Sequence, residues 1–114
     1  MRVSVVIPAL NEERHLSQLL SDIQRQSRRP DEIIVVDAGS SDATVRIAKR
    51  SRAVVLHGEP PVARGRNLGG YGATGEMIFF LDADTRLPGT FFEDFVCEVE
   101  RRRLDGCLPA LPPP

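Results

Sequence analysis

The run Met77-Ile78-Phe79-Phe80-Leu81-Asp82-Ala83-Asp84 places five apolar residues ahead of two aspartates that stand one residue apart. A short apolar run of this kind reads as a strand buried on both faces of a parallel sheet. On an extended chain residues i and i+2 face the same side. Asp82 and Asp84 are therefore expected to point together, with small Ala83 between them leaving room for another group. Two hard oxygen ligands at the carboxyl end of a strand suit Mg2+ or Mn2+ carrying a phosphate. The pattern D-x-D is common by chance, so its meaning depends on its neighbours.

Three further runs rich in β-branched residues precede it: Val3-Ser4-Val5-Val6-Ile7, Glu32-Ile33-Ile34-Val35-Val36 and Ala53-Val54-Val55-Leu56. Helical patterns separate them. Leu16, Leu19, Leu20 and Ile23 fall at i, i+3, i+4 and i+7, the stripe of a helix expected to open at Asn11, with Glu12 and Glu13 in its first turn. A second helix is expected from Ser41, with Val45 and Ala48 inward, and a third from Pro61 to about Ala73, weakened by four glycines. Phe91, Phe92, Phe95, Val96 and Val99 mark a fourth, started by Pro88. Alternating strands and helices imply an α/β fold, a mostly parallel sheet with flanking helices. One domain over residues 1–105 is expected, with a proline-rich disordered tail over 106–114.

The 41% hydrophobic and 27% charged residues suit an ordinary globular protein, and a net charge of −1 gives no electrostatic case for nucleic acid. The Arg101-Arg102-Arg103 run reads as a solvated helix end. Cys97 and Cys107 carry no zinc or disulfide spacing and read as reduced thiols. The apolar stretch at the amino terminus is too short for a membrane span or a signal peptide. A cytoplasmic protein is expected, the inner face of a membrane included.

In open α/β sheets, ligands bind beyond the carboxyl ends of the strands. Those ends carry Pro8-Ala9-Leu10-Asn11-Glu12, Asp37-Ala38-Gly39-Ser40-Ser41-Asp42 and Asp82-Ala83-Asp84, so polar groups collect on one edge. Each has a plainer reading too. Asn11 and Glu12 can simply cap and charge-match the first helix. Asp37 can hydrogen-bond the turn that Gly39 allows, but it is also placed to accept from a ribose or base, and that reading is preferred. Ser40, Ser41 and Asp42 read as turn and cap. Arg64 reads as solvated, whereas Arg66 suits a phosphate or carboxylate partner. His15 and His57 read as surface residues.

Taken together these segments resemble glycosyltransferase family 2, inverting enzymes with the GT-A nucleotide-sugar fold. The residues that carry the resemblance are Val5 to Glu13, Ile34 to Thr44, Ala63-Arg64-Gly65-Arg66-Asn67-Leu68-Gly69 and Gly75 to Asp84. It implies a Rossmann-like donor-binding half and a nucleotide-diphosphate sugar as partner. It further implies that Pro8, Ala9, Leu10, Glu12 and Asp37 hold the nucleoside, and that Arg66 braces the aspartate cluster or the diphosphate. Asp82, beside Ala83, approaches the ribose or donor sugar, and Asp84, with Asp82, binds Mg2+ or Mn2+.

Two departures stand out. Many members carry a second acid after the residue matching Asp37; here it is Ala38, which leaves the nucleobase open. The family's catalytic base and acceptor half lie well beyond the D-x-D, and this chain has thirty residues after Asp84. A fragment without the acceptor half is therefore expected, and no residue is nominated as catalytic base. Two alternatives stand beside this reading. One is a non-catalytic nucleotide-binding fragment. The other is a haloacid-dehalogenase-type phosphatase, whose first motif Phe79 to Thr85 is similar to, but whose other motifs find no counterpart here. Donor sugar, acceptor and oligomeric state are not legible.

Overall fold

The computed structural model describes residues 1–58 and 74–104. The expected third helix, Arg64 and Arg66 within it, Cys107 and the proline-rich tail lie outside the described residues. Strands β1 (Val3–Ala9), β2 (Glu32–Asp37), β3 (Val54–His57) and β4 (Met77–Phe80) form one sheet in the order β3-β2-β1-β4, every pair parallel. Helices α1 (Glu13–Gln24), α2 (Thr44–Arg50) and α3 (Phe91–Leu104) flank it. The alternating sequence pattern thus gives the architecture expected of it.

The strand buried on both faces is β1, all seven of whose residues are buried. Val3, Val5, Ile7 and Ala9 pack with Leu16, Leu19, Leu20 and Ile23 of α1, Ala48 of α2, and Phe92 and Val96 of α3. Val6 points the other way, to Ile34, Val36, Leu56 and Phe80. Burying an aliphatic side chain is worth ~1.5–3 kcal/mol, so the four-residue stripe of α1, rather than its intrinsic propensity, holds that helix in place. Phe79 anchors α3 through ring centroids 5.6, 5.1 and 5.4 Å from Phe91, Phe92 and Phe95. On the far surface of α3, Arg101 and Arg102 pair with Glu98 at 2.9 and 2.7 Å, the solvated helix end expected.

Four local expectations are corrected. First, β4 is not buried on both faces: it ends the described sheet order, Ile78 is 36% exposed, and Phe79 and Phe80 are half-buried. Second, β4 stops at Phe80, and Asp82 to Thr85 form a turn closed by the Thr85 N–H donating to Asp82 O at 3.0 Å. The i, i+2 alternation of an extended chain therefore does not set the directions of the two aspartates. Third, α1 opens at Glu13, because Asn11 has a left-handed φ of 52° that no helix can include. Fourth, α2 opens at Thr44 rather than Ser41, because the loop before it bonds a neighbouring loop first.

The start of β4 is set at the amino edge of the sheet. Fully buried Ser4 donates its hydroxyl to Glu32 Oε1 at 2.8 Å and accepts the Gly75 N–H at 2.8 Å. The Thr74 N–H, 3.0 Å from Glu32 Oε1, does most to hold the Glu32 carboxyl below its usual range. Gly75 is required by proximity: a Cβ there would lie 2.5 Å from Ser4 Oγ.

Candidate functional site

The connections from β1 to β2 to β3 run to one side of β1, and β4 lies on its other side. The switch in direction falls between β1 and β4, the place where open α/β sheets form a crevice at their carboxyl ends. Pro8 explains why the sheet parts there. The Leu81 N–H donates to Val6 O at 3.0 Å, so Val6 directs its polar groups toward β4. Along a strand every second residue does the same, and Pro8 is next. The following rung needs a Pro8 N–H that proline lacks. Pairing to β4 ends at Val6–Phe80, while β1 pairs with β2 as far as Ala9–Asp37.

Along the β2 side of this opening two loops are tied together. Asn11 Oδ1 accepts the Ser41 N–H at 2.8 Å, and the Asn11 N–H donates to Ser40 Oγ at 2.8 Å. The Glu12 N–H donates to Thr44 Oγ1 at 3.0 Å and the Glu13 N–H to Asp42 Oδ2 at 3.3 Å. In return, Glu13 Oε2 accepts the Ala43 N–H at 3.2 Å. Neither helix has a side-chain cap from its own N-cap residue. At the start of α1 the Glu12 and Glu13 N–H groups find acceptors about thirty residues away, whereas α2 opens with the Thr44 N–H on Asp42 and ties its N-cap N–H to Glu13. Asp42 is held below the usual carboxylate range, chiefly by the Thr44 hydroxyl and then by the Thr44 and Glu13 N–H groups.

Asp37, 3% exposed, lies beside Ala9 in the register. Its carboxylate accepts the Gly39 N–H at 3.2 Å, the Ser40 N–H at 3.1 Å and the Ser40 hydroxyl. Gly39 takes φ 100°, and an added Cβ would meet nothing within 4 Å, so conformation rather than crowding selects glycine there. Glu12 is half-buried and accepts from His15 Nδ1 at 2.8 Å. Ala9 turns its side chain into the core.

On the other flank Leu81 and Ala83 are buried, at 8% and 4% exposed, while Asp82 and Asp84 face solvent. Ala83, between the two carboxylates, turns its own side chain into the core. The structure thus brings Pro8 to Glu12 and Asp37 together on one side of the β1 terminus and carries Asp82 and Asp84 up the other; Arg66 lies outside the described residues. An open depression of about 760 Å3 along α2, lined by Asp42, Arg46, Lys49 and Arg50 among others, includes none of Asp37, Asp82 or Asp84.

Sequence reasoning missed the residues beneath the aspartate turn. Asp22 on α1 is 6% exposed and accepts from Arg86 Nε at 2.7 Å, Arg86 Nη2 at 3.0 Å, Leu87 N–H at 3.1 Å and Arg25 Nη2 at 3.2 Å. The Arg86 guanidinium, foremost among these, holds its carboxyl well below the usual range. Asp22 and Gln26 at i, i+4, inside the edge of an apolar stripe, were the available signal.

Among the described residues no three His, Cys, Asp or Glu side chains gather as a metal centre. A divalent cation that arrives on a phosphate needs only one or two carboxylates. Asp82 and Asp84 are exposed carboxylates, oxygen donors of the kind that case calls for.

A family profile described as Glycosyl transferase family 2 matches residues 4–113. The undecaprenyl-phosphate 4-deoxy-4-formamido-L-arabinose transferase of Pseudomonas fluorescens (strain Pf0-1) is 34% identical over 110 residues, which cover 87% of this chain and 32% of that protein. Among solved structures, S. aureus TarS 1-349 in complex with UDP matches with a TM-score of 0.82 at 26% identity, over 90% of this chain and 33% of that one. Glucosyl-3-phosphoglycerate synthase from Mycobacterium tuberculosis, in complex with Mn2+, UDP and glucosyl-3-phosphoglycerate, matches with a TM-score of 0.67 at 26% identity, over 90% of this chain and 39% of that one. The chain spans about a third of the length of the curated relatives it matches.

Proposed function

Because the chain belongs to glycosyl transferase family 2, we propose that it is the donor-binding part of a metal-dependent, inverting glycosyltransferase that takes a nucleoside-diphosphate sugar. The observation that carries this reading is the parting of β1 from β4 at Pro8, with acidic loops on both flanks. UDP and UDP-GlcNAc complexes of S. aureus TarS, each matching over 90% of this chain, support the donor class. We place the donor-binding unit at residues 1–105 and its setting in the cytoplasm. Among the described residues no helix is long and apolar enough to cross a membrane.

The segment from Pro8 through Leu10 to Glu12 and the Asp37 turn receive the nucleoside. Ala9 and Ala83, whose side chains are buried, offer only backbone groups. Asp37 already accepts from its own turn, so that turn presets its carboxylate and a ribose or base donor uses what acceptor capacity is left. Arg66 braces the diphosphate or the aspartates. Asp82 meets the ribose or donor sugar, and Asp84 takes the metal. Bound there, Mg2+ or Mn2+ would supply positive charge that offsets the charge growing on the leaving nucleoside diphosphate. An inverting transfer also needs a carboxylate to take the acceptor proton on the opposite face; no described residue is assigned that role.

Calorimetric titration with UDP, GDP and their sugars, with and without Mn2+, tests the reading on wild type and Asp84→Asn. Wild type is expected to bind one nucleotide more tightly with Mn2+, and Asp84→Asn to lose that gain. If no diphosphate binds, or if the Mn2+-dependent gain survives the substitution, the donor site is misassigned.

A further inference from the structure

We propose that Asp22, Gln26 and Arg86 position the aspartate turn, and that α1 is the frame that fixes both flanks of the crevice. The inference rests on the reading that Asp84 meets the donor diphosphate. The turn is held at both ends. On the β4 side the Leu81 N–H is fixed to Val6 O; on the other, Arg86 and Leu87 are fixed to Asp22. Only residues 82–85 lie between, and the Thr85 N–H is spent on Asp82 O. One helical turn beyond Asp22, Gln26 Nε2 donates to Pro88 O at 2.6 Å, and Gln26 Oε1 accepts the Phe92 N–H at 3.4 Å. The segment from Arg86 to Phe92 is therefore gripped by two nearly buried polar side chains, Asp22 in the last turn of α1 and Gln26 just past its C-cap.

Packing alone does not ask for this arrangement. The apolar stripe of α1 already fills the core, and a buried carboxylate is costly unless every acceptor position is used. Asp22 uses both oxygens, with a forked guanidinium across them, which fixes direction as well as distance. Buried ionic groups of this kind are best attested as devices that select one geometry. The same helix begins in the loops that surround Asp37. Its first turn sets the nucleoside flank and its last turns set the aspartate flank, so the spacing between the flanks is the length of α1.

Asp22→Asn, Arg86→Gln and the milder Arg86→Lys test this in the full chain by two readouts. The first needs no ligand: amide hydrogen exchange at residues 82–87 is expected to speed up by about tenfold or more, while β1 and β2 stay protected. The second is the Mn2+-dependent gain in UDP affinity, expected to fall about tenfold, with metal-free UDP affinity within twofold of wild type. Unchanged exchange at 82–87 overturns the grip itself. Faster exchange with an intact Mn2+-dependent gain overturns positioning and makes the contacts purely structural. A wild type without any Mn2+-dependent gain overturns the donor reading and the positioning role together, which the first readout tells apart from loss of the grip. Arg86→Lys keeps a cation beside Asp22, so the comparison holds even if Asp22→Asn does not fold.

Discussion

Replacing Gly75 by alanine puts a methyl group where the approach to β4 crosses β1. The new Cβ would lie 2.5 Å from Ser4 Oγ, 2.7 Å from Ser4 N and 3.0 Å from Met77 O. The hydroxyl can rotate away, but the backbone atoms cannot. Ordinary contact begins at 3.4 Å, so residue 75 must retreat by about 0.7 Å, against its own 2.8 Å bond to Ser4 Oγ. Gly75 is not among the described residues with positive φ, so crowding acts without backbone strain. Overpacking on this scale costs ~1–3 kcal/mol, the weakened hydrogen bond adds ~1 kcal/mol, and the stiffer unfolded chain gives back ~0.4–1 kcal/mol. The net loss is about 1–3.6 kcal/mol. With an unfolding entropy near 2.1 cal/mol/K per residue, 114 residues convert that to a fall in Tm of about 4–15 °C. Calorimetric melting of wild type, Gly75→Ala, Ser4→Ala and the double variant reads it out. Ser4→Ala removes the shortest contact but leaves the 2.7 Å one, so the double variant should lose roughly 1 kcal/mol less than the sum. A Gly75→Ala Tm within about 2 °C of wild type, or a strictly additive double variant, refutes the crowding argument.

Asn11 serves twice, as a left-handed residue and as acceptor for the Ser41 N–H. Asn11→Ala should therefore cost about 2 kcal/mol in urea unfolding and Asn11→Gly about half that, since glycine keeps the conformation; equal losses would remove strain from the account. Asp22 and Glu32 are both held below their ordinary values of 3.8 and 4.5. The stability they contribute is fully present above that range and fades as pH falls below it. The gap between wild type and Asp22→Asn should accordingly hold steady above about pH 5 and narrow as pH falls through and below the ordinary Asp value of 3.8, and a gap that widens on acidification would contradict the ion pair.

Fold class was legible because it depends on period. β-branched runs and a 3.6-residue stripe each fix an element without reference to the rest of the chain, and Leu16, Leu19, Leu20 and Ile23 are buried as the spacing requires. Which run becomes the central strand was not legible: Met77 to Leu81 is as apolar as Val3 to Ile7, and only pairing order distinguishes them. Helix starts were misread for a related reason. Asn11 and Ser41 look like caps for their own helices, yet each loop spends its polar groups on the other. The acidic motifs were visible as carboxylates at strand ends. Asp22 gave only the faint signal of its place at the stripe's edge, since an acid on an amphipathic helix normally faces water and its partner lies 64 residues on.

The order β3-β2-β1-β4 also bears on the order of assembly. Ser4 meets Glu32 across 28 residues, but meets Gly75 across 71. Closing the longer loop costs ~0.8 kcal/mol more, so on loop closure alone the β1–β2 ladder is expected to form ahead of β4, an order that pulsed hydrogen exchange during refolding would check. Until β4 docks, β1 offers Val3 to Val6 as a bare hydrogen-bonding edge, the kind that recruits a strand from another molecule. Pro8 caps that edge. The missing N–H that parts the mature sheet also keeps the exposed template of the unfinished one to a few residues.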